Sequence, residues 1–456
     1  MRRISKRGVR VRAIVTAAAV ATALAACAPG SNGDDDGATE PGGTVQTDPA
    51  DMGELTLVVW DQEVRGGQAD QIETLNDAFE AAYPNITIER VARSTDDLRT
   101  TLRLALSGDD APDVVQANNS RTDMGQYVSA GLLHPLDDYA DAYGWTDRFP
   151  ASVRSLASYS DDGVTYGEGS LYGLPQMGEM VGLYYSKSRL SGLGLEPPAT
   201  TADLEAALEA SAAAGLTPIQ FGNLDPFAGI HEFGFVQNQF ADAETIRDLG
   251  FGRPGSSWTS PENVEAAETL VRWADQGYFT DGFAGLGYDP AWQAFAQGDG
   301  LFLIAGTWLV ADLAAAMGDD VGFVLPPAGA SGDHLVTGGI SIPFALAERS
   351  EHHDAAAAYI DFITSAEAMT TITETGNLPV VDADAQQVEG LQGEVFQAWA
   401  EAGADDLVVP YLDYATPTFF DTLTAAVQDL LGGQVTPAEF LDRLEAEYTA
   451  ATGGEG

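Results

Sequence analysis

The first regular pattern along the chain is Leu55-Thr56-Leu57-Val58-Val59-Trp60, a short apolar, β-branched run that predicts a buried strand rather than a half-exposed one. Ile72, Leu75 and Phe79 follow at three- and four-residue steps, which predicts a helix over about 68–83 that Pro84 ends. Asn85-Ile86-Thr87-Ile88-Glu89 then alternates as a strand does. The order repeats with short joints: a helix over 98–106, a strand beginning Pro112-Asp113-Val114-Val115, and a helix over 124–130. Strands alternating with helices in this way predict an α/β fold with a largely parallel sheet. A second block begins near Leu171, with a strand over 180–185 and a helix over 201–214 that turns Leu204 and Leu208 inward. Ser260 followed by Pro261 is a helix cap with proline in the first turn, and the helix is expected to bury Val264, Ala267, Leu270, Val271 and Ala274.

Upstream of Leu55 the pattern is of another kind. Arg2, Arg3, Lys6, Arg7, Arg10 and Arg12 precede an uncharged, alanine-rich run from Ala13 to Ala26 that ends at Cys27, the only cysteine. That is a secretory signal layout. The run is about 14 residues long, and a membrane-spanning helix needs roughly 20. The stretch from Cys27 to Met52 is rich in Gly, Pro, Asp and Thr with almost nothing to bury, and predicts a disordered tether. The remaining chain exceeds the size at which one core keeps growing, so two lobes are expected.

Charge narrows the partners. The chain carries 69 acidic and 21 basic residues, and loss of the six basic residues named above takes the formal net charge from −48 to −54. Such a surface argues against nucleic acid or an anionic membrane face as a partner. It reads either as a solubility adaptation or as a cleft that attracts a cation.

Leu24-Ala25-Ala26-Cys27 resembles the lipobox of bacterial lipoproteins, which implies cleavage before Cys27, lipidation of its sulfur and an anchored location on the outer face of the cell membrane. In the mature chain, LTLVVW and FEAAYPNITIERV, then LALSGDDAPDVVQANNS and GLLHPLDDY, then LYGLPQMGEMVGLYYSKSRLSGLGLEPPATTADL, resemble in order and spacing the bacterial extracellular solute-binding proteins of sugar ABC importers, the maltodextrin-binding type. WQAFAQGDGLFLIAGTWLVADL, VGFVLPPAG and GGISIPFALAERSEHHDAAAAYIDFITSAEAM, ending at GNLPVV, continue the match. The chain departs from that pattern at Tyr185-Ser186-Lys187-Ser188, where the family has Tyr-Asn-Lys-Asp, and at Leu301-Phe302, where it has Ala-Met. The resemblance implies two α/β lobes joined by a hinge, with ligand held between them. Lobe one would take 53–165 and 334–380, and lobe two 166–333 and 381–448. It also implies a monomer that docks on permease subunits driven by cytoplasmic ATPases, with no cofactor and no metal.

In open α/β sheets ligands sit beyond the carboxyl ends of strands, where loops vary over a fixed sheet. That rule picks out Asp61 and Gln62 after the first strand, and Asn118, Asn119 and Ser120 after the strand near Val115. Short amides, hydroxyls and carboxylates suit vicinal hydroxyls, although the same residues also cap loops and turns. Glu179 interrupts an uncharged stretch where the family has a ligand-contacting glutamate. Trp308 matches its sugar-stacking tryptophan, and an indole buries a sugar face without needing charge on the ligand. Tyr414, Phe419 and Phe420 fall where the family adds another aromatic, with core packing the alternative for at least one of them. Gly338 and Gly339 permit a close backbone approach or a bend. Asn223, His231, Glu232, Trp258 and Trp292 are further candidates for covering the cleft.

Enzyme signatures are missing from the sequence: no Gly-x-Ser-x-Gly elbow, no His-Glu-x-x-His and no phosphate loop with its lysine. With so many carboxylates, a glycosidase pair has no evidential weight. The expectation is therefore a binding lipoprotein for a small solute, most readily a mono- or oligosaccharide. Capture of a cationic solute such as a polyamine, a secreted glycoside hydrolase and a purely structural surface lipoprotein are the alternatives.

Overall fold

The computed structural model describes residues 45–453. The signal segment, Cys27 and the tether up to residue 44 lie outside the described residues. Twelve strands, β1 (Leu55–Asp61), β2 (Ile86–Ala92), β3 (Val114–Gln116), β4 (Leu133–His134), β5 (Ser158–Tyr159), β6 (Ser170–Leu171), β7 (Gly178–Ser186), β8 (Phe302–Gly306), β9 (Val321–Val324), β10 (Val336–Ile340), β11 (Phe344–Ala347) and β12 (Val408–Val409), fall into three sheets among these residues. The first runs β2-β1-β3-β11-β4. The second runs β12-β10-β7-β8 with β9 also on β7, and β5 pairs β6 alone.

The parallel pattern read from the sequence holds where the βα units are local: β1 pairs β2 and β3 in parallel. Elsewhere only β10 and β12 pair in parallel, while β11 lies antiparallel to β3 and β4, and β7 is antiparallel to β8, β9 and β10. A strand that returns from the other lobe is free of the right-handed crossover that makes neighbours parallel. β1 also differs from expectation. Leu57, Val59 and Asp61 are buried while Leu55, Val58 and Trp60 are half-covered, so one face meets the core and the other lies under partial cover. Arg93 supplies part of that cover, its guanidinium standing 4.1 Å from the Trp60 ring centre.

The expected helices form over Gly66–Ala82, Thr95–Ser107 and Thr201–Ala213, the last opened by a reciprocal Thr200–Asp203 capping box. The segment near Met124 instead begins as a π-turn over Arg121–Gly125 and becomes α only over Gln126–Ser129. Ser260 does cap Pro261–Asp275, its hydroxyl accepting from the Asn263 amide. The buried face of that helix is rotated from the one expected. Asn263, Ala266, Ala267, Leu270 and Trp273 point inward, while Val264, Val271 and Ala274 are half-buried. The indole of Trp273 and the amide of Asn263, which accepts from Gln237 at 2.7 Å, win the core positions over the smaller valines.

Among the described residues the chain passes between the two large sheets three times, through segments 173–178, 341–343 and 377–380. These hydrogen-bond to one another: Leu174 pairs with Phe344, Met177 with Pro379, and the Ser341 amide donates to the Met177 carbonyl at 2.9 Å. They form the hinge between two lobes. The second passage follows β10, which pairs with β7 and β12 in the second sheet. Residues 334–340, expected in lobe one, therefore belong with lobe two. The expected tether is also shorter at its far end. Gln46 donates its amide to Asp354, Pro49 is buried, and Asn85 Nδ2 donates to the Pro49 and Gly53 carbonyls, so Val45–Met52 pack on lobe one.

Candidate functional site

A cavity of about 120 Å³ lies between the lobes at the carboxyl end of β1. Lobe one lines it with polar side chains: Gln62, Arg65, Gln68, Thr95, Asp96, Arg99, Asn118 and Asn119. Lobe two lines it with Phe227, Ile230, His231, Trp308, Tyr411, Tyr414 and Phe420, together with Glu179 and Asp413, and Ile340 and Ile342 close the hinge side. One wall is thus amide- and charge-bearing and the other largely aromatic.

Local structure fixes these side chains. β8 ends at Gly306, and the turn Thr307–Leu309 carries Trp308 over it; a Cβ at position 306 would come within 1.9 Å of the indole. The indole Nε1 donates to the Tyr288 hydroxyl at 2.7 Å, and its ring centre lies 5.3 Å from that of His231. Gln62 follows β1, its amide donating to Gln116 Oε1 at 2.8 Å while its own Oε1 accepts from Thr95 Oγ1. Asn119 is held by the Tyr414 hydroxyl at 2.9 Å and by donation to the Leu156 carbonyl at 2.7 Å. That Tyr414 bond already ties lobe two to lobe one. Arg121 reaches across as well, donating to the Phe251 and Ala415 carbonyls at 2.9 and 3.2 Å.

Several cleft groups are buried without a partner. His231 Nδ1, the Tyr411 hydroxyl and Gln68 Oε1 have no hydrogen bond among the described residues. An unpaired buried polar group costs about 1–3 kcal/mol, and three at one cavity are explicable if a ligand completes them. Burial also raises the cleft carboxyls, Glu179 to about 8 with Glu63 adding to it, and Asp413 to about 7. Burial lowers His231 to about 4, so its imidazole is neutral. Beneath the cleft Glu63 rises to about 7, again chiefly by burial.

Carboxyls whose folded values lie above the unfolded ones stabilise the fold fully at low pH and lose that stabilisation as pH rises through the folded value. The expected result is a urea midpoint that falls between about pH 5 and 8, each such group contributing about 1.4 kcal/mol per pH unit within its window. Glu179→Gln should flatten part of that slope. An unchanged slope in the variant would mean that Glu179 ionises normally.

Of the residues singled out from sequence, Gln62, Asn118, Asn119, Glu179, Trp308, Tyr414, Phe420 and His231 line the cavity. Others do not. Asp61 is fully buried, held by Arg90 at 2.7 and 2.8 Å, and accepts the Glu63 amide, so it organises the end of β1. Ser120 caps the π-turn, its hydroxyl accepting from the Asp123 amide. Gly338 and Gly339 sit in β10 against Met180 and Glu179; a Cβ at 338 would strike the Glu179 carbonyl at 2.3 Å, so this glycine serves sheet packing. Phe419 is buried against Trp258 at 4.9 Å, and both are core. Asn223 accepts the Gly229 amide, Glu232 is buried within lobe two, and Trp292 donates to Asp289. Sequence reasoning passed over Arg65, Gln68, Thr95, Asp96, Arg99, Phe227, Ile230, Ile340, Ile342, Tyr411 and Asp413. The pair of polar residues opening the helix Thr95–Ser107 was the available signal for Thr95 and Asp96, since that helix starts just beyond the carboxyl end of β2.

The family model described as bacterial extracellular solute-binding protein matches residues 60–370. A multiple sugar-binding protein of Streptococcus mutans serotype c is 23% identical over 311 residues, covering 66% of this chain and 70% of that one. Among solved structures, a chitin oligosaccharide binding protein superposes with a TM-score of 0.76 at 24% identity, over 88% of this chain and 100% of its own. A raffinose complex of the solute-binding protein RafE gives 0.68 at 20% identity, over 87% and 99%.

Proposed function

Because this chain belongs to the bacterial extracellular solute-binding proteins, a family of non-enzymatic binding proteins, we propose that it captures a mono- or oligosaccharide in the cleft between its lobes. The observation that carries this reading is the division of the cleft into an aromatic wall around Trp308, Tyr411 and Tyr414 and an amide-bearing wall around Gln62, Asn118 and Asn119. A pyranose has the matching division: C–H faces that stack on rings, and hydroxyls that donate and accept in fixed directions. The relatives named for binding sugars point the same way. Ligand touching both lobes binds the closed arrangement better than the open one and draws the equilibrium toward it, which is all that capture requires.

The transport setting is part of the same proposal. Lipid on Cys27 would hold the monomer at the outer face of the membrane, where the closed form docks on permease subunits whose cytoplasmic ATPases drive uptake.

A thermal-shift screen of the purified protein against mono- and oligosaccharides tests the binding claim. A saccharide present at 100 times its dissociation constant adds about 2.7 kcal/mol of apparent stability. Silence across saccharides, or shifts with polyamines alone, would overturn it. In parallel, membrane-fraction retention that survives Cys27→Ser would remove the anchor from the proposal.

A further inference from the structure

The loop after β3 reaches lobe two at neighbouring points. Its Asn119 accepts from the Tyr414 hydroxyl at 2.9 Å, and Arg121 donates Nη2 to the Phe251 carbonyl at 2.9 Å and Nη1 to the Ala415 carbonyl at 3.2 Å. Arg121 differs from the other cations that cross the cleft. The pairs Arg65–Asp289 and Arg99–Asp421 end on exposed carboxyls, where water and salt screen the attraction. Arg121 has no carboxylate acting on it, its Nε is buried without a partner among the described residues, and burial lowers its guanidinium from the ordinary value. The titratable groups facing it are Tyr159, Tyr166 and Tyr448, all raised by burial and neutral at physiological pH. Lobe two is shaped to receive the guanidinium. Phe251 closes the C-terminal end of the helix Ala243–Gly250, where free carbonyls carry partial negative charge. Gly252 beside it stands at φ 63°; a Cβ there would lie 2.9 Å from Arg121 Nη1 and 2.1 Å from the Ala415 oxygen, so glycine keeps the slot open.

Resting on the saccharide reading, we propose that Arg121 is a positioning residue that latches the closed arrangement of the lobes and so sets how long a captured sugar is held, without touching it. Arg121 does not line the cavity. Both of its acceptors lie on the opposite lobe, so parting the lobes breaks both bonds together. Bonds from a charged donor to carbonyls shielded from water are among the stronger single hydrogen bonds, and these two form only on closure. A latch of this kind multiplies the closed population by one factor whatever the cleft encloses, and apparent affinity scales with that population. The same loop carries Asn118 and Asn119, so the latch also fixes the amide wall against the loop that bears Tyr414.

The test is stopped-flow tryptophan fluorescence of the purified protein with galactose, maltotriose, raffinose and chitobiose as probes, beside urea unfolding of each variant. Arg121→Ala is expected to release every saccharide that the wild type binds about tenfold faster, by a common factor, with association rates within about threefold. Arg121→Lys keeps the charge but cannot fork across two carbonyls, and should fall between wild type and alanine. Unchanged dissociation in the folded variants, or losses that differ from one saccharide to the next, overturns this inference and leaves the saccharide reading standing. Failure of both variants to fold does the same, since it makes Arg121 a residue of the fold. No binding of any probe by the wild type overturns both.

Discussion

Trp308→Ala is expected to weaken saccharide binding about 30- to 150-fold, the largest loss from any single change in the cleft. Truncating a central tryptophan in a binding site costs about 2–3 kcal/mol, and each 1.4 kcal/mol is tenfold in affinity. The indole is well placed for that role because it is fixed before ligand arrives. Gly306 beneath it leaves room for the ring, and the Tyr288 hydroxyl accepts from Nε1 at 2.7 Å. Trp308 is only half-buried, so the same change should cost the apo-protein about 1–2 kcal/mol, below the 3–5 typical of a core tryptophan. Calorimetry of the variant beside its urea unfolding separates the two. Unchanged affinity with lowered stability would reduce Trp308 to a packing residue.

Asp61→Ala should have the opposite signature. Asp61 is fully buried and takes both Arg90 contacts, so its removal leaves a guanidinium that is half-buried and faces only the largely exposed Glu73 at 3.2 Å and the Glu63 carbonyl. Breaking one side of a buried pair costs about 3–5 kcal/mol, since the charge left behind has lost both water and partner. Ligand binding should survive in whatever fraction folds, because Asp61 does not line the cavity. Urea unfolding with a parallel titration checks both halves. Wild-type stability with lost binding would return Asp61 to the ligand-contacting set read from the sequence.

The contrast between Asp61 and Gln62 explains where sequence reasoning stops. Both follow the apolar run of β1, and the rule that ligands sit beyond strand ends selects both alike. The pleat sends successive side chains to opposite faces, so one turns toward Arg90 on β2 and the other toward the cavity. Phe419 and Phe420 repeat the lesson on a helix, where adjacent residues point about 100° apart. The first packs on Trp258, and the second lies in the cleft with the Arg99 guanidinium 3.7 Å from its ring centre. A one-residue choice of face is invisible in composition and is made only when a partner element docks.

The sequence by itself determined what local chemistry decides: the strand and helix order of the first lobe, the Ser260 cap, and the pairing of an indole with short amides at strand ends. These follow from periodicity, side-chain hydrogen bonds and turn preference, which act within a few residues. Tertiary structure decided what depends on distant segments meeting. The antiparallel set around β7, which includes β10, and the hinge contacts Leu174–Phe344 and Met177–Pro379 join residues more than 110 positions apart. So does the cleft, where Asn119 receives Tyr414 and where acids from separate elements share two arginines. Burial raises Glu179 and Asp413, and burial is a property of the assembled lobes rather than of any stretch of chain.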